Sequence, residues 1–297
     1  MLFDTKQTLK QIVNIVSKEL EQADLFFGHG TDNAWDEACW LVESIVKANG
    51  GDKIDAEMML EGAVLNQLQK VLTQRVEEKI PLAYLLNEAW FGGLPFYVND
   101  KVIIPRSPIA ELIKNHFMAL LKSDPKMILD LCCGSGCIGL ASLMEFPSAK
   151  VVLADLSEDA LQVVAVNIEK HHLNRRSLIK QSDLFEGLKG LEGSFDLIIS
   201  NPPYVGEKEY ESLPEEYKHE PSMALISEQN GLKLPIEILK QAADYLSEDG
   251  MLILEVGNSS EALVALYPDA PFLWLEFENG GEGVLALSYA QLREYRF

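Results

Sequence analysis

Basic residues are scarce in this chain: 25 lysines and arginines stand against 46 aspartates and glutamates, a formal net charge of -21 over 297 residues. Such an acidic surface repels a phosphate backbone, so direct nucleic-acid docking is not expected and a basic protein is the complementary partner. Cysteine is scarce as well. Cys39, Cys132, Cys133 and Cys137 are too few and too bunched for a disulfide scaffold, and their spacing fits no zinc pattern. They read as small buried hydrophobes in a reducing compartment. No apolar run approaches membrane-spanning length and no charged-then-apolar leader opens the chain, so a cytoplasmic protein without membrane association is expected. The histidines show no partner pattern for proton transfer or metal binding, and there is no internal repeat or low-complexity tract.

With 47% hydrophobic and 24% charged residues, the chain has the makeup of a globular protein, long enough for one large domain and a small one. Apolar stripes at helical spacing run from Thr5 to about Phe27, from Ala34 to Ile45 behind a cap at Thr31 or Asp32, and from Leu65 to Val76. They predict a helical domain over 1–85. The period then changes. Ala89-Trp90-Phe91 and Phe96-Tyr97-Val98 flank Gly92-Gly93-Leu94-Pro95, and Lys101 to Ile104 follows, which predicts a β-hairpin or short meander as a linker over 86–106. Ser107 is placed to cap a helix reaching Leu121, with Pro108 as its first residue. From Lys126 onward strands and helices alternate: Met127 to Leu131, Val151 to Ala154, Leu178 to Lys180, Leu197 to Ser200 and Met251 to Val256 are strands. This predicts an α/β domain over 107–297, with a parallel sheet covered on both faces. Two more strands, Phe272 to Phe277 and Val284 to Tyr289, are expected around a tight turn at Asn279-Gly280-Gly281.

Asn201-Pro202-Pro203-Tyr204 follows the fourth strand, where open α/β sheets place their ligands. Pro202 and Pro203 fix φ and remove two donors, so the loop is stiff. The Asn201 side-chain oxygen and the Pro202 carbonyl are then acceptors for both hydrogens of a substrate NH₂ group, with Tyr204 offering a flat face. After the first strand, Asp130-Leu131-Cys132-Cys133-Gly134-Ser135-Gly136 forms a glycine turn that lets a ligand approach the backbone, and Asp155 ends the second strand where a carboxylate meets a ribose diol. Asp183 and Leu184, after the third strand, can take an adenine amino group and cover its ring; Asp183 serves equally well as a helix cap. These features indicate an adenosine-containing cofactor, either a nicotinamide dinucleotide or S-adenosylmethionine. The absence of a placed proton-transfer residue, together with Asn-Pro-Pro-Tyr, favours S-adenosylmethionine and methyl transfer to a planar nitrogen. Arg106, at the joint before the larger domain, either contacts a carboxylate of substrate or cofactor or forms a structural salt bridge. The acidic segment 205–230 is either a functional loop or a solvated excursion.

These residues resemble the Asn-Pro-Pro-Tyr class of S-adenosylmethionine-dependent methyltransferases. With Ile80-Pro81-Leu82-Ala83-Tyr84-Leu85, Trp90 to Val98, Ile104-Pro105-Arg106-Ser107-Pro108, His219-Glu220-Pro221 and Gly231-Leu232, the chain is similar along nearly its whole length to the protein glutamine methyltransferases. The resemblance implies a Rossmann-like class I methyltransferase sheet, mostly parallel with an antiparallel last strand, after an N-terminal helical domain that recognises substrate. It also implies Asn201, Pro202, Pro203 and Tyr204 as catalytic residues, with Asn201, Tyr204 and Arg106 on the substrate. The cofactor would be held by Asp130, Cys132, Gly134, Gly136, Asp155, Asp183, Leu184 and Asn201. Pro105-Arg106-Ser107-Pro108, Ala89-Trp90-Phe91 and the Cys-Gly-Ser-Gly-Cys turn are similar to the branch that methylates large-subunit ribosomal protein L-three, a basic protein. The neighbouring branch acts on peptide release factors. Adenine methylation of nucleic acid and a non-catalytic ribosome assembly factor are the alternatives outside the family. Two positions depart from the wider pattern: Cys132 stands where glycine is usual, and Leu184 where release-factor relatives carry an aromatic.

Overall fold

The computed structural model describes residues 2, 3, 7–51 and 53–297. It divides into two compact units: Met1–Glu88 with Pro214–His219, and Ala89–Leu213 with Glu220–Phe297.

The first unit holds four helices, α1 (Leu9–Gln22), α2 (Ala34–Ala48), α3 (Gly62–Glu77) and α4 (Leu82–Leu86). The expected start of α1 at Thr5 lies outside the described residues. Thr8 caps the helix reciprocally with Gln11, and its stripe of Ile12, Val13, Val16 and Leu20 is buried. Each such side chain contributes about 1.5–3 kcal/mol of burial, which is what holds helices this short together. The helix ends at Gln22 rather than near Phe27. Asn33, not Thr31 or Asp32, caps α2 through its side chain. In the middle of the unit Arg75 is buried: its Nε donates to Glu37 at 2.6 Å, Nη1 to Glu216 at 3.1 Å and Nη2 to the Phe26 carbonyl at 2.9 Å. Glu216 belongs to the returning segment Pro214–His219, so this acid is supplied from far along the chain.

The second unit opens with β1 (Ala89–Phe91) and β2 (Leu94–Phe96), paired antiparallel around Gly92-Gly93. The turn takes only two residues, both with positive φ, so β2 begins at Leu94 instead of Phe96. The hairpin is part of the larger unit rather than a separate linker. Lys101 to Ile104 is not a strand. Val102 N–H goes to the Asn99 carbonyl at 3.2 Å and Ile104 N–H to the Glu220 carboxylate at 2.9 Å, so no ladder forms. Then follow α5 (Ile109–Lys114), β3 (Met127–Leu131), α6 (Cys137–Glu145), β4 (Lys150–Asp155), α7 (Glu158–Lys170), β5 (Ser177–Gln181), β6 (Phe195–Ser200), α8 (Glu207–Ser212), α9 (Lys233–Tyr245), β7 (Leu246–Glu255), α10 (Ser260–Leu266), β8 (Leu273–Trp274), β9 (Val284–Ser288) and α11 (Tyr289–Tyr295).

Seven strands form one sheet in the order β5-β4-β3-β6-β7-β9-β8. β5, β4, β3, β6 and β7 run parallel, and β9 lies antiparallel to β7. Hydrophobic clusters cover both faces: Ile128, Leu197, Ile199 and Ile253 point into one, Leu129, Ile198, Leu252 and Leu254 into the other. That two-sided burial explains why these strands read as unbroken apolar runs. β8 is two residues long, and nine residues separate it from β9, so the expected tight turn there is a longer loop. The helix expected to reach Leu121 stops at Lys114, with His116 and Phe117 in left-handed conformation. No described helix is long and apolar enough to cross a membrane.

Candidate active site

The order of strands reverses beside β3, and there the carboxyl ends of β3, β4, β5 and β6 surround one cavity, as open α/β sheets dictate. About 980 Å³ of space lies between its walls and in its open mouth together.

The glycine turn after β3 forms its floor. Cys132 lies on the wall with φ of 60°, a left-handed value that suits the glycine usual there. Gly134 donates its N–H to Asp155 Oδ2 at 2.9 Å, while Asp155 Oδ1 accepts from Ser157 at 2.9 Å. A carboxylate has more acceptor sites than these bonds occupy, and Asp155 lies on the cavity wall. Burial raises the Asp155 carboxyl, opposed by those N–H groups.

Asp130 does not reach the wall. It is buried beneath the turn, where Oδ2 accepts the Gly139 N–H at 2.7 Å and Oδ1 has no partner among the described residues. Gly139 is obligatory: a Cβ there would lie 2.9 Å from Asp130 Oδ2. Burial pushes the Asp130 carboxyl up to about 8, the Gly139 N–H opposing and the Asp155 charge adding. Gly136, with φ of 76°, caps α6 and is likewise absent from the wall. Burial also holds the Cys132 and Cys133 thiols well away from ionisation and takes Cys137 to about 12, so they are inert apolar groups as expected.

Asp183 and Leu184 both face the cavity. Ser182 builds their turn, donating to the Leu184 carbonyl at 2.5 Å and accepting from Gly187 at 2.8 Å. Ser182 thus satisfies the backbone of the turn that carries Asp183 to the wall. Arg106 also lies on the wall, but its guanidinium forks onto Glu220 at 2.5 and 2.6 Å. Of the two expectations for this residue, the structural salt bridge is the one seen.

The Asn201-Pro202-Pro203-Tyr204 turn divides in two. Asn201 and Pro203 line the cavity, and the Asn201 carboxamide makes no hydrogen bond among the described residues. Pro202 is buried and off the wall. Tyr204 is not among the residues on the wall, and its hydroxyl donates to Glu255 Oε1 at 3.0 Å.

Glu255 escaped the sequence reading. It ends β7, is buried, and accepts from Ser107 Oγ at 2.5 Å as well as from Tyr204. Burial pushes its carboxyl up to about 7 against both hydroxyls and the Arg106 charge. The signal was available: one acid stands inside the apolar run from Met251 to Val256. Met223, Ala224 and Leu234 also reach the cavity, so the region around 205–230 contributes directly to it.

Comparison with known proteins bears on this geometry. The Methyltransferase small domain family matches residues 112–216. The catalytic domain of hMettl16, solved with the MAT2A 3′UTR hairpin 1, superimposes with a TM-score of 0.50 at 13% identity, over 84% of this chain and 90% of that one. That likeness concerns the fold alone, which is the class I methyltransferase fold. A ribosomal protein uL3 glutamine methyltransferase of Francisella tularensis is 42% identical over 99% of this chain and 94% of its own length. Another, from Neisseria meningitidis serogroup B, is 41% identical over 96% and 94%. With identity at that level along almost the entire length, this chain belongs to the ribosomal protein uL3 glutamine methyltransferase family.

Proposed function

We propose that this chain transfers a methyl group from S-adenosylmethionine to the side-chain amide nitrogen of a glutamine in ribosomal protein uL3, the L-three of the sequence reading. The observation that carries this is the unbonded Asn201 carboxamide on the cavity wall, in a chain 42% identical to an enzyme of that name. The residues fit the cofactor: Asp155 has spare acceptors for the ribose diol, Asp183 and Leu184 suit an adenine, and the orphaned Asp130 Oδ1 lies under the glycine turn. When bound, S-adenosylmethionine supplies an electrophilic methyl group on a sulfonium.

An amide nitrogen is a poor nucleophile because its lone pair is delocalised into the carbonyl. Asn201 Oδ1 accepts an amide hydrogen, which raises electron density on nitrogen as positive charge develops; Pro202, buried off the cavity wall, is not assigned the second acceptor. The locked φ of Pro202 and Pro203 keeps the turn that carries Asn201 stiff. The proton leaves to water after transfer, so no dedicated base is required. The helical unit recognises the substrate, and the acidic surface complements a basic ribosomal protein.

The test is transfer of labelled methyl to purified uL3. Replacing Asn201 by Ala lowers kcat by about 10²–10³ while S-adenosylhomocysteine affinity changes by less than about threefold. Label appearing in release factors, in nucleic acid or in nothing overturns the assignment of substrate, and an Asn201→Ala enzyme of near-normal rate overturns the assignment of the acceptor.

A further inference from the structure

Glu255 has no part in the scheme above, yet it joins two segments of the site. It stands at the end of β7, whose Leu254 pairs with Ser200, the residue before Asn201. One carboxylate oxygen holds the Tyr204 hydroxyl and the other the Ser107 hydroxyl. A carboxyl is costly to bury, and an apolar side chain would fill the same space at less cost. What the buried carboxyl supplies at this depth is a pair of hydrogen bonds that only an acceptor can make.

What it grips is the far end of the Asn-Pro-Pro-Tyr turn. The near end is already fixed: Ser200 lies in register between Leu131 and Leu254, and its Oγ donates to the Leu131 carbonyl at 2.7 Å. Tyr204 is seated from several sides. Ser259 Oγ donates to its carbonyl at 3.0 Å, and its ring lies against Gly257, where a Cβ would come within 2.4 Å of Cε2. With φ locked at Pro202 and Pro203, little freedom is left between the two anchored ends.

We propose that Glu255 is a positioning residue for methyl transfer: by holding the Tyr204 hydroxyl it fixes the Asn201–Tyr204 turn, and so keeps the Asn201 carboxamide in one orientation toward the substrate amide. This rests on the reading of Asn201 given under Proposed function. Glu255 touches neither substrate nor cofactor and acts through Tyr204. Displacing a reacting or accepting group by about 1 Å can cost about 10² in rate, so a brace this far back is enough to govern turnover.

The test compares Glu255→Leu, Tyr204→Phe, the double variant and Glu255→Gln, reading kcat, KM for uL3, S-adenosylhomocysteine affinity and thermal unfolding. Glu255→Leu and Tyr204→Phe each lower kcat by about 10- to 100-fold, with KM and cofactor-product affinity within about threefold of wild type. The double variant is no slower than the slower single one. Glu255→Gln keeps a carbonyl acceptor for Tyr204 and restores kcat to within about fivefold of wild type. Losses that multiply in the double variant, or a Gln variant as slow as the Leu variant, overturn the proposal. If Glu255→Leu does not fold, Tyr204→Phe and Glu255→Gln decide the matter: the first must lose kcat and the second keep it. A wild-type protein that labels no uL3 overturns the functional reading instead, and shows itself before any variant is compared. The thermal cycle then still reports whether Glu255 and Tyr204 act as one unit.

Discussion

Asp130 and Glu255 are two acids whose protons are held near neutrality by burial, up to about 8 and about 7. For Glu255 the folded value lies above the ordinary 4.5, so folding takes up a proton between those limits. Its contribution to stability is complete below about pH 4.5 and is lost as pH rises through about 7. Glutamine cannot ionise. The unfolding free energy of Glu255→Gln relative to wild type therefore rises between about pH 5 and pH 8, by up to about 3 kcal/mol, as denaturant titrations at each pH will show. A difference that stays flat across that range would mean the native carboxyl ionises at no cost. Asp130 is present in both proteins and cancels. Glu255 thus weakens the fold at the pH where it serves the turn, a usual bargain at functional sites. The sequence signals Glu255 as one acid inside the apolar run from Met251 to Val256, but not its role, because its partners Ser107 and Tyr204 lie far away in the chain. The Tyr204 hydroxyl and ring lie against Glu255 and Gly257, more than fifty residues away, contacts that adjacency within Asn-Pro-Pro-Tyr does not report.

Among the elements, the parallel strands β3, β4 and β6 were readable because both faces of the sheet are covered there, which leaves largely apolar runs; β5 is half-exposed and reads less clearly. Asp155, Asp183 and Asn201 lie at or just beyond the ends of β4, β5 and β6, and the fold brings those strand ends together around one cavity. Lys101 to Ile104 misled, since its β-branched pattern is that of a strand while its N–H groups are taken by Asn99 and by Glu220. No local pattern reports a partner 116 residues away. The helices of the first unit were legible from their stripes, but not the ion cluster among them. Arg75 there joins Glu37 and Glu216 with side chains almost fully buried, and burial raises the Glu37 carboxyl against the pull of the arginine. Replacing Arg75 by Leu leaves two acids buried together without their cation and costs about 3–5 kcal/mol in urea unfolding. A loss below about 1 kcal/mol would show the cluster to be solvated and dispensable.

For the molecule as a whole, the net charge of -21 bears on encounter with the basic substrate of the proposed function more than on the fold. Raising salt from about 50 to about 300 mM shortens the range of that attraction, so KM for uL3 rises by about tenfold while S-adenosylhomocysteine affinity moves by less than about twofold. Steady-state kinetics at several salt concentrations measure this, and a KM indifferent to salt would remove charge from the account of recognition. The division into units has its own consequence for how the protein is made. Because Pro214–His219 belongs to the helical unit and Glu216 completes the Arg75 cluster, translation as far as residue 88 delivers an unfinished piece. The emerging chain acquires Glu216 only after more than half of the second unit has been synthesised, so until then Arg75 is without one of its two carboxylates.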